Sequence, residues 1–390
     1  MRRNNNYGHL GVKLFFVLAI GAFLLSACGK AGEDNPAGAS APTESDAIES
    51  DFEYPFVAES ENGFYFWEHR SEERYVPRLM FLDKESGKVV PLCNKPDCMH
   101  EGKECNARFP DLDFGEDGID KHYLQYYEGS LYAVGVSSDN YVSLFRIEPD
   151  GSEWEISTKL YRADYAATGQ WRTLDIWIND GYVYFSDAKQ KKAKLERMPI
   201  GGRSGEVLFE GDSDAVEVQI FRIECSQEEQ CVFFQARIFE DESIEHSVGG
   251  LYQYDIFSGE CSLVKIDLSG PYTVRNGKVY YGSMEGLCRY SIQDRTVEVL
   301  SDQPIEVPNI TLTRDYIILC DQMEGGDLII YDYEGTQAAK VSGELRPTWY
   351  FGGNSEMLFA ECVYDNKTRL CYLDLTRPLD ELQWEELQAD

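Results

Sequence analysis

The sequence predicts an all-β chain, a β-propeller of four-stranded blades, with seven blades preferred over six or eight. Three observations predict it. A unit of turn, aromatic strand, second strand, turn and third strand recurs along the 390 residues. Its turns fall near positions 63, 129, 181, 228, 277, 315 and 355, and most are separated by the roughly 40–50 residues of a four-stranded blade. Helical periodicity is almost absent, residues 378–388 being the one ambiguous stretch.

Taken in order, Asn62-Gly63 opens Phe64-Tyr65-Phe66-Trp67, followed by Leu79 to Asp83, Ser86-Gly87 and Val89 to Leu92. Glu128-Gly129 leads to Leu131 to Val134 and then Leu144 to Ile147 before Asp150-Gly151. Asp180-Gly181 precedes Tyr182 to Phe185, with Leu195 to Met198 and Gly201-Gly202 behind. The fourth copy has Val232-Phe233-Phe234, Leu251 to Asp255 and Ser258-Gly259. Asn276-Gly277 opens Val279-Tyr280-Tyr281, and Arg314-Asp315 opens Tyr316 to Leu319, with Leu328 to Asp332 after it. Met357-Leu358-Phe359 and Leu370 to Asp374 close the series. A further short apolar run precedes each turn, such as Leu174 to Ile178. Aromatic and β-branched runs bounded by Asn-Gly or Asp-Gly are hairpin signals. A pair of sandwiches would not repeat one pattern seven times.

The propeller, residues 52–390, is preceded by two segments of another kind. Residues 1–27 read as a lipoprotein signal peptide: Arg2, Arg3 and Lys13 are followed by an uncharged stretch from Leu14 to Leu25, too short to span a bilayer comfortably. Leu25-Ser26-Ala27-Cys28 then resembles the lipobox of bacterial lipoproteins, in which the cysteine is acylated and becomes the first mature residue. The expectation is a membrane anchor through lipid on Cys28, palmitate-type chains included, with the mature protein on the extracellular face. Residues 28–51 hold no aromatic side chain after the lipidated cysteine until the propeller begins and read as a flexible tether.

Composition excludes one class of partner. With Lys+Arg 36 against Asp+Glu 69, the net charge is −33, and the leader removes three bases and no acids. Such a surface is repelled by phosphate backbones, so no nucleic acid is expected.

The first turn spacing is the longest, and its excess maps to a cysteine-rich insertion at 93–120. Cys93, Cys98, His100 and Cys105 lie within thirteen residues. The plainer reading is a disulfide-stapled loop, natural outside the cytoplasm. Three thiols and an imidazole are also the ligand set of a tetrahedral zinc site, though the spacing matches no common zinc finger. Free thiols are the third reading. Asp111 to Asp120 is acid-rich, but Gly115 stands where an EF-hand needs a ligand. A solvated turn is the plainer account of it than calcium.

Ten cysteines remain once Cys28 is lipidated, an even number that favours pairing. If Asn366-Lys367 is a two-residue hairpin tip, Cys362 faces Cys371 at disulfide distance. Cys225 and Cys231 flank another turn and are a second candidate pair.

The lipobox, the repeats and the Cys-x-x-Pro-x-Cys-x-His-x(4)-Cys segment together resemble uncharacterised propeller lipoproteins of anaerobic Firmicutes, clostridial proteins with a domain of unknown function related to receptor-type propellers. That resemblance implies fold and location and brings no activity with it.

No nucleophile elbow, zincin helix or phosphate loop is present. Gly201 to Gly205 falls where a blade hairpin should turn. The functional expectation is therefore a non-enzymatic, surface-anchored scaffold for a protein or peptide partner, with the insertion as its most distinctive loop. Two alternatives are glycan capture by exposed aromatics, the tryptophans above all, and a carbohydrate-active enzyme using a carboxylate pair in the channel.

Overall fold

The structure, a computed structural model, describes residues 57–68, 78–100, 104–108, 123–162, 176–186, 192–211, 214–226, 229–240, 247–268, 270–305, 308–321, 327–353, 356–364 and 367–387. The lipobox, the tether and residues 109–122 lie outside these.

Seven antiparallel sheets of four strands follow one another along the chain. Blade 1 holds β1 (Val57–Glu59), β2 (Gly63–Trp67), β3 (Leu79–Asp83) and β4 (Val89–Pro91). Blade 2 holds β5 (Leu124–Tyr127), β6 (Ser130–Val136), β7 (Tyr141–Ile147) and β8 (Trp154–Arg162). Blade 3 holds β9 (Ile176–Asn179), β10 (Tyr182–Ser186), β11 (Lys194–Pro199) and β12 (Glu206–Glu210). Blade 4 holds β13 (Glu217–Ser226), β14 (Cys231–Phe239), β15 (Ser247–Asp255) and β16 (Cys261–Ile266). Blade 5 holds β17 (Tyr272–Arg275), β18 (Lys278–Ser283), β19 (Gly286–Ser291) and β20 (Thr296–Ser301). Blade 6 holds β21 (Pro308–Leu312), β22 (Ile317–Asp321), β23 (Leu328–Tyr331) and β24 (Gln337–Val341). Blade 7 holds β25 (Arg346–Gly353), β26 (Met357–Tyr364), β27 (Lys367–Asp374) and β28 (Glu385–Glu386).

First strands touch first strands around the centre: β1 meets β5, β5 meets β9, β9 meets β13, β13 meets β17, β17 meets β21, and β25 returns to β1. The fold is a seven-bladed β-propeller, as the repeats predict. Every blade is built from consecutive strands, so the ring closes without exchanging one.

Second strands are buried on both faces because each blade is covered by two neighbours. Period-two alternation then sorts their side chains between two seams. Phe64 and Phe66 pack with Phe359 of blade 7, while Tyr65 and Trp67 pack with Leu124, Leu131 and Phe145 of blade 2. Fourth strands face water, and β20 is exposed along most of its length. Arginines on third strands pair with glutamates directly opposite: Arg146–Glu155 at 3.4 Å, Arg197–Glu206 at 2.9 Å and Arg289–Glu298 at 2.6 Å. At such exposure each contributes only a few tenths of a kcal/mol, about 0.2–1.

Neighbouring blades are bridged by side chains that imitate backbone. The amide of Gln125 donates to Ile178 O at 2.8 Å and accepts from Ile178 N at 2.9 Å. Glu224 accepts from Val274 N at 3.2 Å, Glu229 from Gly277 N at 2.7 Å, and the Tyr127 hydroxyl from Gly181 N at 2.7 Å. On the outside, the turn between the third and fourth strands of one blade rests on the fourth strand of the blade before it. Gly201 N donates to the Thr158 hydroxyl at 2.9 Å. Gly151 and Gly335 approach so closely that a Cβ would lie 2.3 Å from Leu92 O and 2.4 Å from Leu300 O; both have positive φ, +69° and +87°. Only glycine satisfies both the dihedral and the space.

Both disulfide expectations are corrected. The β26/β27 register places Tyr364 opposite Lys367, so the hairpin tip is one residue earlier than Asn366-Lys367. Cys362 then faces Arg369, and Cys371 faces Ala360; the two thiols share a face as diagonal neighbours, which lie about 7–8 Å apart, and no disulfide joins them. Cys225 faces Val232 while Cys231 faces Ser226. One register step sends them to opposite faces: Cys225 packs at the seam with blade 3 and Cys231 at the seam with blade 5. Both are free thiols.

Candidate metal centre

The cysteine segment interrupts the outermost strand of blade 1. Strand β4 pairs with β3 from Leu82↔Val89 to Met80↔Pro91, and Leu92 N donates to Leu79 O at 2.8 Å. The next position should continue the ladder. Instead the chain leaves at Cys93 and the same ladder resumes at Ala107, whose carbonyl accepts from Leu79 N at 2.9 Å, with Arg108 bridging Arg78. Residues 93–106 are thus an excursion whose two ends must meet on one edge.

Local chemistry folds it back. Pro96 suits the second position of a turn over 95–98, in which Cys98 N donates to Lys95 O at 3.3 Å. His100 takes a left-handed φ of +58°, reversing the chain again. A second turn, Arg108 N to Cys105 O at 3.0 Å, hands it back to the sheet. Asn106 Nδ2 donates to Asn94 Oδ1 at 3.0 Å across the neck and to Ser152 O of blade 2 at 3.3 Å.

These turns gather Cys93, Cys98, His100 and Cys105, whose ligand atoms all lie within 4.8 Å of one another. His100 Nδ1 is 3.4 Å from Cys105 Sγ. In a tetrahedral zinc site with Zn–S about 2.3 Å and Zn–N about 2.0 Å, the S···N edge is about 3.5 Å. Nδ1 is therefore the ring nitrogen placed to ligate. Cys105 is buried and the other three are half-buried; all three sulfurs are free thiols rather than a staple.

Electrostatics separate the thiols. Burial pushes the Cys93 thiol up, yet the backbone N–H groups of Lys95 and Asn106 and the thiols of Cys98 and Cys105 hydrogen-bond its sulfur and leave it below the ordinary thiol value. Burial pushes Cys105 up to about 11, with Cys98 and Cys93 opposing its ionisation further, against the N–H of Ala107. Around the cluster, Lys95 Nζ donates to Glu104 O. Arg78 reaches His100 O at 3.5 Å while its fork sits on Glu68 at 2.5 and 2.6 Å. Backbone N–H groups directed at the Cys93 and Cys105 sulfurs suit thiolates held by a divalent ion. Four protein ligands fill a tetrahedron and leave no open position, so the donor set fits a structural zinc rather than a catalytic one.

Other sequence candidates fall elsewhere. The acid-rich stretch 111–120, His69, His122, His246 and Trp171 lie outside the described residues. Gly201 and Gly202 form the blade 3 turn, as expected. Trp67 and Trp384 are buried between blades, and Trp154 and Trp177 are half-buried against core clusters. None of these four is the exposed ring that the glycan alternative wants. Sequence reading missed the resumption of the strand at Ala107, because Ala107-Arg108 carries no strand signal of its own.

No protein-family model matches the sequence, and no curated protein matches it. Solved structures do match in fold. A puromycin hydrolase superposes with a TM-score of 0.59 at 11% identity, over 88% of this chain and 54% of that one. A prolyl endopeptidase gives 0.56 at 11% identity, over 84% and 49%. Prolyl oligopeptidase B from Galerina marginata gives 0.53 at 12% identity, over 84% and 49%. The chain spans about half the length of each, and at this identity the likeness is one of propeller fold.

Proposed function

We propose that this chain is an exported, lipid-anchored scaffold whose propeller binds a protein or peptide, and that residues 93–105 hold one structural zinc ion. The anchor is Cys28, and the location is the outer face of the cell membrane. The observation that carries the reading is the gathering of four ligand atoms at a break in the outermost strand of blade 1. A metal there closes the excursion, lets the strand resume, and fixes the insertion against blade 2. A rigid ring with loops at both ends is a scaffold on which recognition is carried by those loops.

The test is metal analysis of the mature domain lacking Cys28, purified without chelator. About one zinc per chain is expected, lost in Cys98→Ser and in His100→Ala. Chelation should make the 93–108 segment sensitive to protease while the ring stays folded. A metal-free protein with an already resistant segment would remove the zinc reading. For the anchor, mass spectrometry of the membrane fraction should find a diacylglycerol on Cys28, and Cys28→Ala should release the chain.

A further inference from the structure

An open pocket of about 410 Å³ lies where the inner strands of blades 4, 5 and 6 end. Ser226 ends β13, Thr273 to Arg275 end β17, and Leu312 to Arg314 end β21 and begin the turn after it. Its two arginines differ from most others in the molecule. Arg146, Arg197, Arg289, Arg369 and Arg377 each face a carboxylate. Among the described residues, Arg275 and Arg314 face none, although the chain carries a net charge of −33.

Arg275 is fixed in place. Its Nη1 donates to Thr313 O at 2.6 Å and to the Tyr333 hydroxyl at 2.7 Å, and its guanidinium lies over the Tyr333 ring, 5.3 Å from the centroid. The Tyr333 hydroxyl in turn donates to Thr313 O at 2.7 Å. Those bonds occupy one nitrogen and leave Nε and Nη2 without a protein acceptor among the described residues. Arg314 is exposed on the turn, its backbone carbonyl 3.3 Å from Arg275 Nη1. The Glu224 carboxylate accepts from Thr273 and Val274 on the same wall at 3.2 Å each. The two guanidinium groups, neither ion-paired among the described residues and one of them held rigid, lie beside the apolar Val274 and Leu312 and suit a planar anion carried on an apolar body.

We propose that this pocket takes the carboxylate of a peptide: Arg314 is the charged contact, Arg275 the fixed donor, and Val274 with Leu312 the floor for the adjoining side chain. The proposal rests on the peptide-binding reading above and names the chemistry that one face of the ring recognises.

The mature chain is treated with p-hydroxyphenylglyoxal, and the modification rate of each arginine is read by mass spectrometry. Exposed Arg203 and Arg295, which also face no carboxylate among the described residues, serve as internal references. The probes are a pool of apolar tripeptides with free carboxyl ends, the same pool as C-terminal amides, an amide pool carrying one internal Glu, and inorganic phosphate. The free-acid pool should slow modification of Arg314 at least threefold without touching Arg203 or Arg295, and the apolar amide pool should not. Protection by the Glu-bearing amides alone would still support carboxylate capture and assign its source to a side chain. Equal rates with and without acid, equal protection by apolar amides, or protection by phosphate alone would overturn the proposal. Calorimetric titration with the protecting pool should weaken at least tenfold in Arg314→Ala. Arg275→Lys, which keeps the charge but loses the fork, should weaken it as well. Zinc content should stay unchanged in both variants, so failure here leaves the metal centre standing.

Discussion

Replacing Phe359 with alanine tests how the ring is closed. Among the described residues no strand crosses from blade 7 to blade 1, so closure depends on side-chain packing at that seam. Phe359 is fully buried, and its ring meets Phe64 at 5.0 Å between centroids, tilted by 57°. Phe66, Met80, Leu82 and Val89 complete the cluster from the blade 1 side. Truncating a buried phenylalanine costs about 3–5 kcal/mol, of which the aromatic pair accounts for about 0.5–1.5. Against a total stability of about 5–15 kcal/mol, that is a large fraction. Urea denaturation of the mature domain should show the loss as a lower midpoint. Phe64→Ala combined with Phe359→Ala should fall short of additivity by about the pair term. A loss below about 1 kcal/mol, or full additivity, would mean that the seam is held by something other than this contact.

Gly335→Ala places a Cβ 2.4 Å from Leu300 O at a φ of +87°; a cost of about 1–3 kcal/mol is expected, and an unchanged thermal midpoint would refute the close approach. Acid should weaken the turns between third and fourth strands. Asp255 is held below the ordinary carboxylate value chiefly by the backbone N–H of Ser258, and the neighbouring hydroxyl of Ser86 does the same for Asp83. A depressed folded-state value means that this stability is present above the unfolded-state value, near pH 4, and is lost as pH falls through the lower folded-state one. The stability gap between the wild type and Asp255→Asn, measured by denaturant titration, should therefore narrow from pH 5 to pH 2; a gap independent of pH would contradict it.

Much of the fold was legible because blades repeat their turn chemistry. Asn276-Gly277 and Asp180-Gly181 sit at tight hairpins, and behind them Val279 to Tyr281 and Val183 to Phe185 are buried in second strands. One repeat went unread: Arg146 and Glu155, Arg197 and Glu206, and Arg289 and Glu298 are each nine residues apart, a spacing set by the hairpin between third and fourth strands. The ligand set at 93–105 was visible as residue types. Its geometry was not, since it depends on Ala107 regaining a ladder that only the folded edge defines. The two disulfide expectations failed on register, which sequence specifies weakly when adjacent dipeptides such as Asp365-Asn366 and Asn366-Lys367 can each form a tip. A register shift of two residues turns the facing pair Cys362 and Cys371 into a diagonal one, and a shift of one sends Cys225 and Cys231 to opposite faces.

The outer glycine contacts have a direction. Gly151 of blade 2 rests on Leu92 of blade 1, Gly201 of blade 3 on Thr158 of blade 2, and Gly335 of blade 6 on Leu300 of blade 5. In each case the later-made turn seats itself on an edge that already exists. A chain synthesised amino end first can therefore add blades vectorially, every new one finding a finished neighbour to lean on. Blade 1 is the exception, because its other neighbour is the last to emerge. Its Phe64 face stays open until Phe359 arrives, which makes that apolar surface the one a chaperone would have to shield and the joint whose closing completes the molecule.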